Sequence, residues 1–173
     1  MSDAHVENNK SKLLVEAIAN GTVIDHIAPG QAINIIRMFK FLSKNNQLTV
    51  GFNLRSGNLG KKDIIKISDV VFSPAQTEQI AVLAPNATIN QIKDFKVVDK
   101  YKLRLPLETV GVFKCPNSNC ITNDERDANA RFKISTENGK VFMKCRYCER
   151  VFEREVVLEI GRAHVWTPVT DVS

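Results

Sequence analysis

The sequence predicts an α+β chain: a ferredoxin-like antiparallel sheet with two helices, followed by a small all-β zinc-binding domain. Three observations predict it. Over roughly the first hundred residues, strand and helix signals follow the order strand, helix, strand, strand, helix, strand, strand. That order is a split β-α-β unit with one extra strand, which packs both helices on one face of the sheet. All four cysteines fall in the last third, as Cys115 and Cys120 and then Cys145 and Cys148. Between the two regions, Leu103-Arg104-Leu105-Pro106 reads as a connection. The expected division is a flexible tail over 1–12, a first domain over 13–102, a zinc domain over 103–160 and a non-native tail over 161–173.

Each element has a local reason. Residues 22–27 (TVIDHI) are short and β-branched, a strand that Pro29-Gly30 breaks. A helix is predicted over 31–42, with Ala32, Ile35, Ile36, Phe39 and Leu42 on one face and Asn34, Arg37 and Lys40 on the other. Ile33 and Phe41 fall outside that apolar stripe. Residues 48–54 alternate, placing Leu48, Val50, Phe52 and Leu54 on one side. A loop over 55–60 leads to a strand over 62–67. Ser73-Pro74-Ala75-Gln76 opens the second helix with an N-cap serine, a proline at the first helical position and a glutamine that completes a capping box. That helix stops near Ala84, because the residue before Pro85 disfavours helix. Residues 88–92 and 95–100 are two strands around a Lys93-Asp94 turn.

The cysteine spacing, C-x4-C and C-x2-C separated by twenty-four residues, supplies four soft ligands from two facing turns. Cys115-Pro116-Asn117-Ser118-Asn119-Cys120 is rich in turn formers. Two disulfides are the other reading, but the sequence shows no secretory leader and cytosolic thiols stay reduced. Neither turn contains a His, Asp or Glu that would leave an open coordination position. The expectation is one structural Zn²⁺ per chain, held by four thiolates.

Composition narrows the function. The chain has 173 residues, 43% of them hydrophobic, and no apolar run near the ~18 residues of a membrane span, so a cytoplasmic protein is expected. The formal charge is +5 and the pI about 9.1, which raises a zinc-ribbon nucleic-acid-binding protein as the alternative. Against it, residues 101–173 hold twelve Lys+Arg and ten Asp+Glu, and a zinc tetrathiolate brings that half to about neutral. Lys144, Arg146 and Arg150 alternate with Glu149 and Glu153 rather than forming the basic face such a ribbon needs. An enzyme finds little support: phosphate-loop and dinucleotide fingerprints are absent, and His5, His26 and His164 are isolated. A binding site suits the first domain better. Lys62 and Lys66 project from one face of a strand, with Asp25 and His26 on the first strand and Lys100 at the end of the last. Such residues can hold a polyphosphate and a ribose, although strand-edge lysines are mostly solvated residues that oppose aggregation.

Several segments together resemble the regulatory chain of aspartate carbamoyltransferase. They are Val15-Glu16-Ala17-Ile18, Gly21-Thr22-Val23-Ile24-Asp25-His26-Ile27, Ser56-Gly57 with Gly60-Lys61-Lys62-Asp63, Ala84-Pro85 with Asn90, and the Cys115–Cys120 turn. The likeness spans about 12–158. It implies a non-catalytic allosteric subunit of pyrimidine biosynthesis that binds CTP and ATP at one shared site, with UTP acting alongside CTP. It also implies a dimer through the first domain, and a zinc domain that grips the catalytic chain in an assembly of two catalytic trimers and three regulatory dimers. By position, Val15, Glu16, Ala17 and Ile18 resemble part of the base pocket, Asp25 the ribose contact, and His26 and Lys100 phosphate contacts. Lys66 resembles a bridge between base and ribose, Lys62 a residue of a second nucleotide or metal-linked phosphate, and Asn90, Ile92 and Val97 the pocket wall. Phe95 stands where the family pattern has tyrosine, Lys102 where arginine is common, and Lys10 where an acidic residue can occur. Residues 159–165 resemble a translated sequencing-adaptor artefact, so 161–173, with His164 and Trp166, are read as non-native and disordered.

Overall fold

The computed structural model describes residues 16–41, 45–57 and 60–165, with side chains through residue 159. The expected 1–12 tail, Lys10, Val15, Leu42 and Trp166 lie outside the described residues. The first sheet has the order β2-β3-β1-β4-β5, from β1 (Gly21–Ile27), β2 (Leu48–Ser56), β3 (Gly60–Ser68), β4 (Thr88–Lys93) and β5 (Lys96–Lys102). All four pairings are antiparallel. β3 lies between β1 and β2, which is the split β-α-β arrangement that the element order predicts. Helices α1 (Ala32–Met38) and α2 (Pro74–Leu83) share one core with the sheet. Ile24, Ile65, Ile67 and Ile89 pack with Ile35, Ile36, Ile80 and Leu83. Asp63, Ile65 and Ile67 of β3 are buried, whereas Lys62, Ile64, Lys66 and Ser68 between them are half-exposed. The face opposite the helices is therefore open.

The α2 start follows its sequence signal. Ser73 accepts from the Gln76 N–H at 3.2 Å, and the Ser73 N–H donates to the Gln76 side chain at 2.9 Å. Four local expectations need correction. The first helix ends at Met38 rather than near residue 42. Lys40 turns left-handed at φ 51, which folds Phe41 into the core at 4% exposure and stacks it on Phe39 at 5.4 Å. Alternation in β2 fails after Val50, because a bulge between Gly51 and Leu54 leaves Gly51 buried and Phe52 47% exposed. The β4–β5 turn is Asp94-Phe95, both left-handed at φ 50 and 62, since Lys93 pairs with Lys96. That is the two-residue hairpin geometry whose twist matches the strands, and it places Phe95 in the turn rather than in a strand. The fourth correction concerns the C-terminal region: 161–165, expected to be disordered, continue a helix.

The second unit is a four-stranded antiparallel meander, β6 (Glu108–Val110), β7 (Arg131–Glu137), β8 (Lys140–Cys145) and β9 (Val151–Glu153). The short α3 (Ile121–Asp124) and the closing helix α4 (Arg154–Val165) add helix to the expected all-β unit. Phe132 and Met143 fill its centre with no exposed surface, and Val157 of α4 is equally buried. The two units share one continuous apolar cluster. Leu103 bonds to both Ala87 and Asn86, Gln79 donates to the Val112 carbonyl at 3.2 Å, and Arg154 donates to the Val82 carbonyl at 3.3 Å.

Candidate functional site

Four sulfurs converge in the second unit. Cys115 and Cys120 bracket the turn before α3, whose side is closed by Asn123 donating to the carbonyls of Cys115 (3.1 Å) and Asn117 (2.8 Å). Cys145 ends β8, and Cys148 sits on the turn that leads into β9, where the Glu149 N–H donates to the Cys145 carbonyl at 2.9 Å. The left-handed Glu149 (φ 60) reverses the chain there. All four Sγ atoms lie within 4.8 Å of one another, with Cys115–Cys148 at 3.7 Å and Cys120–Cys145 at 3.8 Å. Sulfurs at ~2.3 Å from a tetrahedral centre are separated by about 3.8 Å, whereas a disulfide brings them to about 2.05 Å. The arrangement fits one metal ion and not two disulfides. Burial pushes the Cys115 and Cys145 thiols up. Burial also opposes ionisation of Cys148, but the Arg150 N–H and the Asn117 side chain outweigh it and bring that thiol down to about 7. Buried groups held as thiols become good ligands only when a cation displaces their protons.

The second constellation lies on the open face of the first sheet, and register assembles it. Thr49 pairs with Lys66, Lys66 with Val23, Val23 with Asn90, and Asn90 with Lys100. Paired residues share a face, so these five side chains form one row across the sheet. A parallel row runs from Ser68 through Gly21 and Ile92 to Val97, and another joins Asp25, Thr88 and Lys102. Gly21 is required where it stands. At φ 137, a Cβ would lie 2.0 Å from the Ile67 carbonyl oxygen.

At one end of the face a bulge in β1 between Ile24 and Ile27, with His26 at φ 57, sets Asp25 and His26 side by side. Asp25 accepts from Lys62 Nζ at 2.7 Å and from the His26 N–H at 2.6 Å, and its carboxylate lies 3.7 Å from His26 Nδ1. Burial works to raise the Asp25 pKa, but Lys62 and the His26 N–H outweigh it and hold the carboxyl below its ordinary value. Burial lowers the Lys66 pKa, against the opposing charges of Asp25 and Glu16. Lys66 Nζ donates to the Glu16 carbonyl at 2.7 Å, which ties the incoming chain across the sheet.

At the other end, a cleft of about 420 Å³ is lined by Glu16, Ala17, Ile18, Thr49, Ser68 and Phe95, among others. Phe95 is anchored there by its N–H donating to the Ala19 carbonyl at 2.9 Å. The structure thus groups Asp25, His26 and Lys62 by direct contact. Lys66, Asn90, Lys100, Ile92 and Val97 are aligned by register, and Glu16, Ala17, Ile18 and Phe95 line the cleft. Sequence reasoning missed Thr49 and Ser68. Ser68, two residues after Lys66 on the same strand, was open to the period-2 rule, whereas Thr49 reaches the site only through β2–β3 register. It also assigned no role to Asp63.

Comparison with known proteins covers both units. Residues 13–104 match the family described as "aspartate carbamoyltransferase regulatory chain, allosteric domain". Residues 108–158 match "aspartate carbamoyltransferase regulatory chain, metal binding domain". An aspartate carbamoyltransferase regulatory chain of Tolumonas auensis is 49% identical over 152 residues, covering 88% of this chain and 98% of the relative. One from Aeromonas hydrophila is 47% identical over 152 residues with the same coverage. One from Aliivibrio fischeri is 46% identical over 153 residues, 88% of this chain and 99% of the relative.

Proposed function

The chain belongs to the family of aspartate carbamoyltransferase regulatory chains, and from that premise we propose that its open sheet face binds CTP and ATP, with UTP acting beside CTP. Its role is that of a regulatory, non-catalytic subunit with an allosteric and a metal-binding domain, and its partner is a catalytic chain. The observation that carries the nucleotide reading is the row Lys66–Val23–Asn90–Lys100, flanked by Asp25, His26 and Lys62. Lys66 and Lys100 lie three strand spacings apart, roughly 14 Å, a span that suits an extended nucleoside triphosphate. The base occupies the cleft beside Ala17, Ile18 and Phe95, with Asn90, Ile92 and Val97 as the wall. The ribose meets Asp25, and the phosphates meet His26 and Lys100. Lys62, already paired with Asp25, serves a second nucleotide or metal-linked phosphate.

The metal of the four-cysteine site is zinc, one per chain. Bound zinc supplies the cross-link that a small unit needs to fold; four thiolates close its coordination sphere. The unit so folded docks on the catalytic chain. Dimerisation through the first domain belongs to the same proposal, and the two edge strands of its sheet expose apolar side chains, Phe52 on β2 and Val98 and Tyr101 on β5. The cytoplasm is the matching compartment, since the thiols must stay reduced. Among the described residues, no helix is long and apolar enough to cross a membrane.

A nucleotide changes the partner only if it binds two quaternary states with different affinity. The shared apolar cluster and the Arg154–Val82 and Gln79–Val112 bonds supply a route to the metal unit besides the 103–106 connection. The test is reconstitution with a catalytic chain, measuring aspartate saturation with and without saturating CTP or ATP. The expected result is a several-fold shift in half-saturation. Identical curves overturn the regulatory reading. Steep salt dependence of binding to mixed RNA, with no nucleotide effect, would favour the ribbon alternative.

A further inference from the structure

β3 carries a carboxylate with no place in the metal site or among the proposed ligand contacts. Asp63 is fully buried on the helix-covered face. Its Oδ2 accepts from the N–H groups of Gly30 at 2.8 Å and Ala32 at 3.4 Å, and its Oδ1 accepts from the Asn53 N–H at 3.0 Å. A buried carboxylate is tolerated only when such donors replace its water. These donors come from the chain immediately after β1 and from the bulge in β2.

Both neighbours of β3 are bulged beside Asp63. β1 gains its extra residue between Ile24 and Ile27, where Ile27 pairs with Asp63 itself. β2 gains one between Gly51 and Leu54, opposite Ile64 to Lys62. Each bulge contains a left-handed residue, His26 at φ 57 and Asn53 at φ 54. That conformation costs a non-glycine residue energy, less for asparagine and histidine than for most, and the bonds that Asp63 accepts from Gly30 and Asn53 hold the backbone around it. The extra residue in β1 matters to the site. Because strand side chains alternate, Asp25 and His26 can stand together only where a bulge interrupts the alternation.

We propose that Asp63 is a positioning residue for the phosphate end of the ligand site. Its carboxylate fixes the end of β1 through Gly30 and the β2 bulge through Asn53, and thereby sets the bulged backbone that presents His26 and Lys62, while Asp25 keeps its place by pairing with Thr88 on β4. This rests on the nucleotide reading of the open face. The substitution Asp63→Asn tests it with little change of volume. An amide keeps one acceptor oxygen but turns an NH₂ donor toward backbone N–H groups, so at least one of the three bonds is lost.

Calorimetry on the full chain would compare ATP with AMP, which share base and ribose and differ in phosphate number. The unaltered chain should prefer ATP. Asp63→Asn should weaken ATP binding about tenfold while changing AMP by no more than ~2-fold, with metal content unchanged. A merely structural role would weaken both ligands alike, and an unchanged ATP-to-AMP ratio overturns the proposal. Failure of the unaltered chain to bind ATP at all overturns the nucleotide reading and this proposal together.

Hydrogen exchange on the unaltered chain covers the case in which the variant does not fold. Saturating ATP should slow exchange of the Gly30 and Asn53 amides, which lie on the far side of the sheet from the ligand. ATP that slows exchange along Lys62 to Lys66 and leaves those two amides unchanged overturns the proposal.

Discussion

Replacing Cys148 by serine removes one corner of the sulfur tetrahedron and preserves side-chain shape. Cys148 is the most exposed of the four cysteines, so of the four it is the one whose replacement disturbs the apolar packing around Phe132 and Met143 least. A structural tetrathiolate zinc site contributes apparent binding energies of about 10–16 kcal/mol. Divided over four ligands, one thiolate is worth roughly 2.5–4 kcal/mol, and a serine hydroxyl that stays protonated at neutral pH recovers little of it. The expected loss of zinc affinity is about two to three orders of magnitude. Competition against a chromophoric chelator would read the affinity, and metal analysis after dialysis the stoichiometry. Binding to the catalytic chain should fall with zinc content, because β6 to β9 cannot bury enough apolar surface alone. Nucleotide binding should survive, since the open face lies on the other side of the first sheet from the shared core. One zinc per chain in the Cys148→Ser variant, at an affinity within about threefold of the parent, would refute the four-thiolate assignment.

Lys100→Ala removes a charge-assisted contact worth roughly 1.5–3 kcal/mol and should weaken nucleotide triphosphate binding about ten- to a hundredfold by calorimetry; unchanged affinity removes Lys100 from the site. Arg154→Met deletes the bond to the Val82 carbonyl at the end of α2, a helix with no basic residue in its own last turn. The expected cost is about 1–2 kcal/mol, seen as a Tm lower by roughly 3–6 °C, and an unchanged Tm would show that the packing of α1 on α4 suffices. The Asp25 carboxyl is held below its ordinary value, so its contribution to stability is complete above the unfolded pKa and disappears as pH falls through the folded one. Asp25→Asn should accordingly flatten the acid limb of the stability curve below about pH 4, and parallel curves for the two proteins would contradict that account.

What the sequence determined by itself is the information written in short range. The Ser73–Gln76 capping box, the stop before Pro85 and the two cysteine turns each involve residues a few positions apart, whose chemistry leaves few alternatives. Alternating strand and helix signals likewise carried the split β-α-β order, because short antiparallel connections admit few topologies. The tertiary structure decided what depends on pairing between distant strands. That Lys66, Val23, Asn90 and Lys100 form one row is a property of register, and register is a collective outcome of core packing. The left-handed bulges at His26 and Asn53 interrupt periodicity without a decisive sequence mark, since asparagine and histidine tolerate that backbone but do not require it. Alternation therefore groups Phe52 with Leu48 and Val50, and it marks no role for Asp63. Phe41 is buried for a related reason: Lys40 ends the helix geometry from which its direction was reckoned. Helix α4 was illegible because its inner residue Val157 is buried only within the core that the two units share.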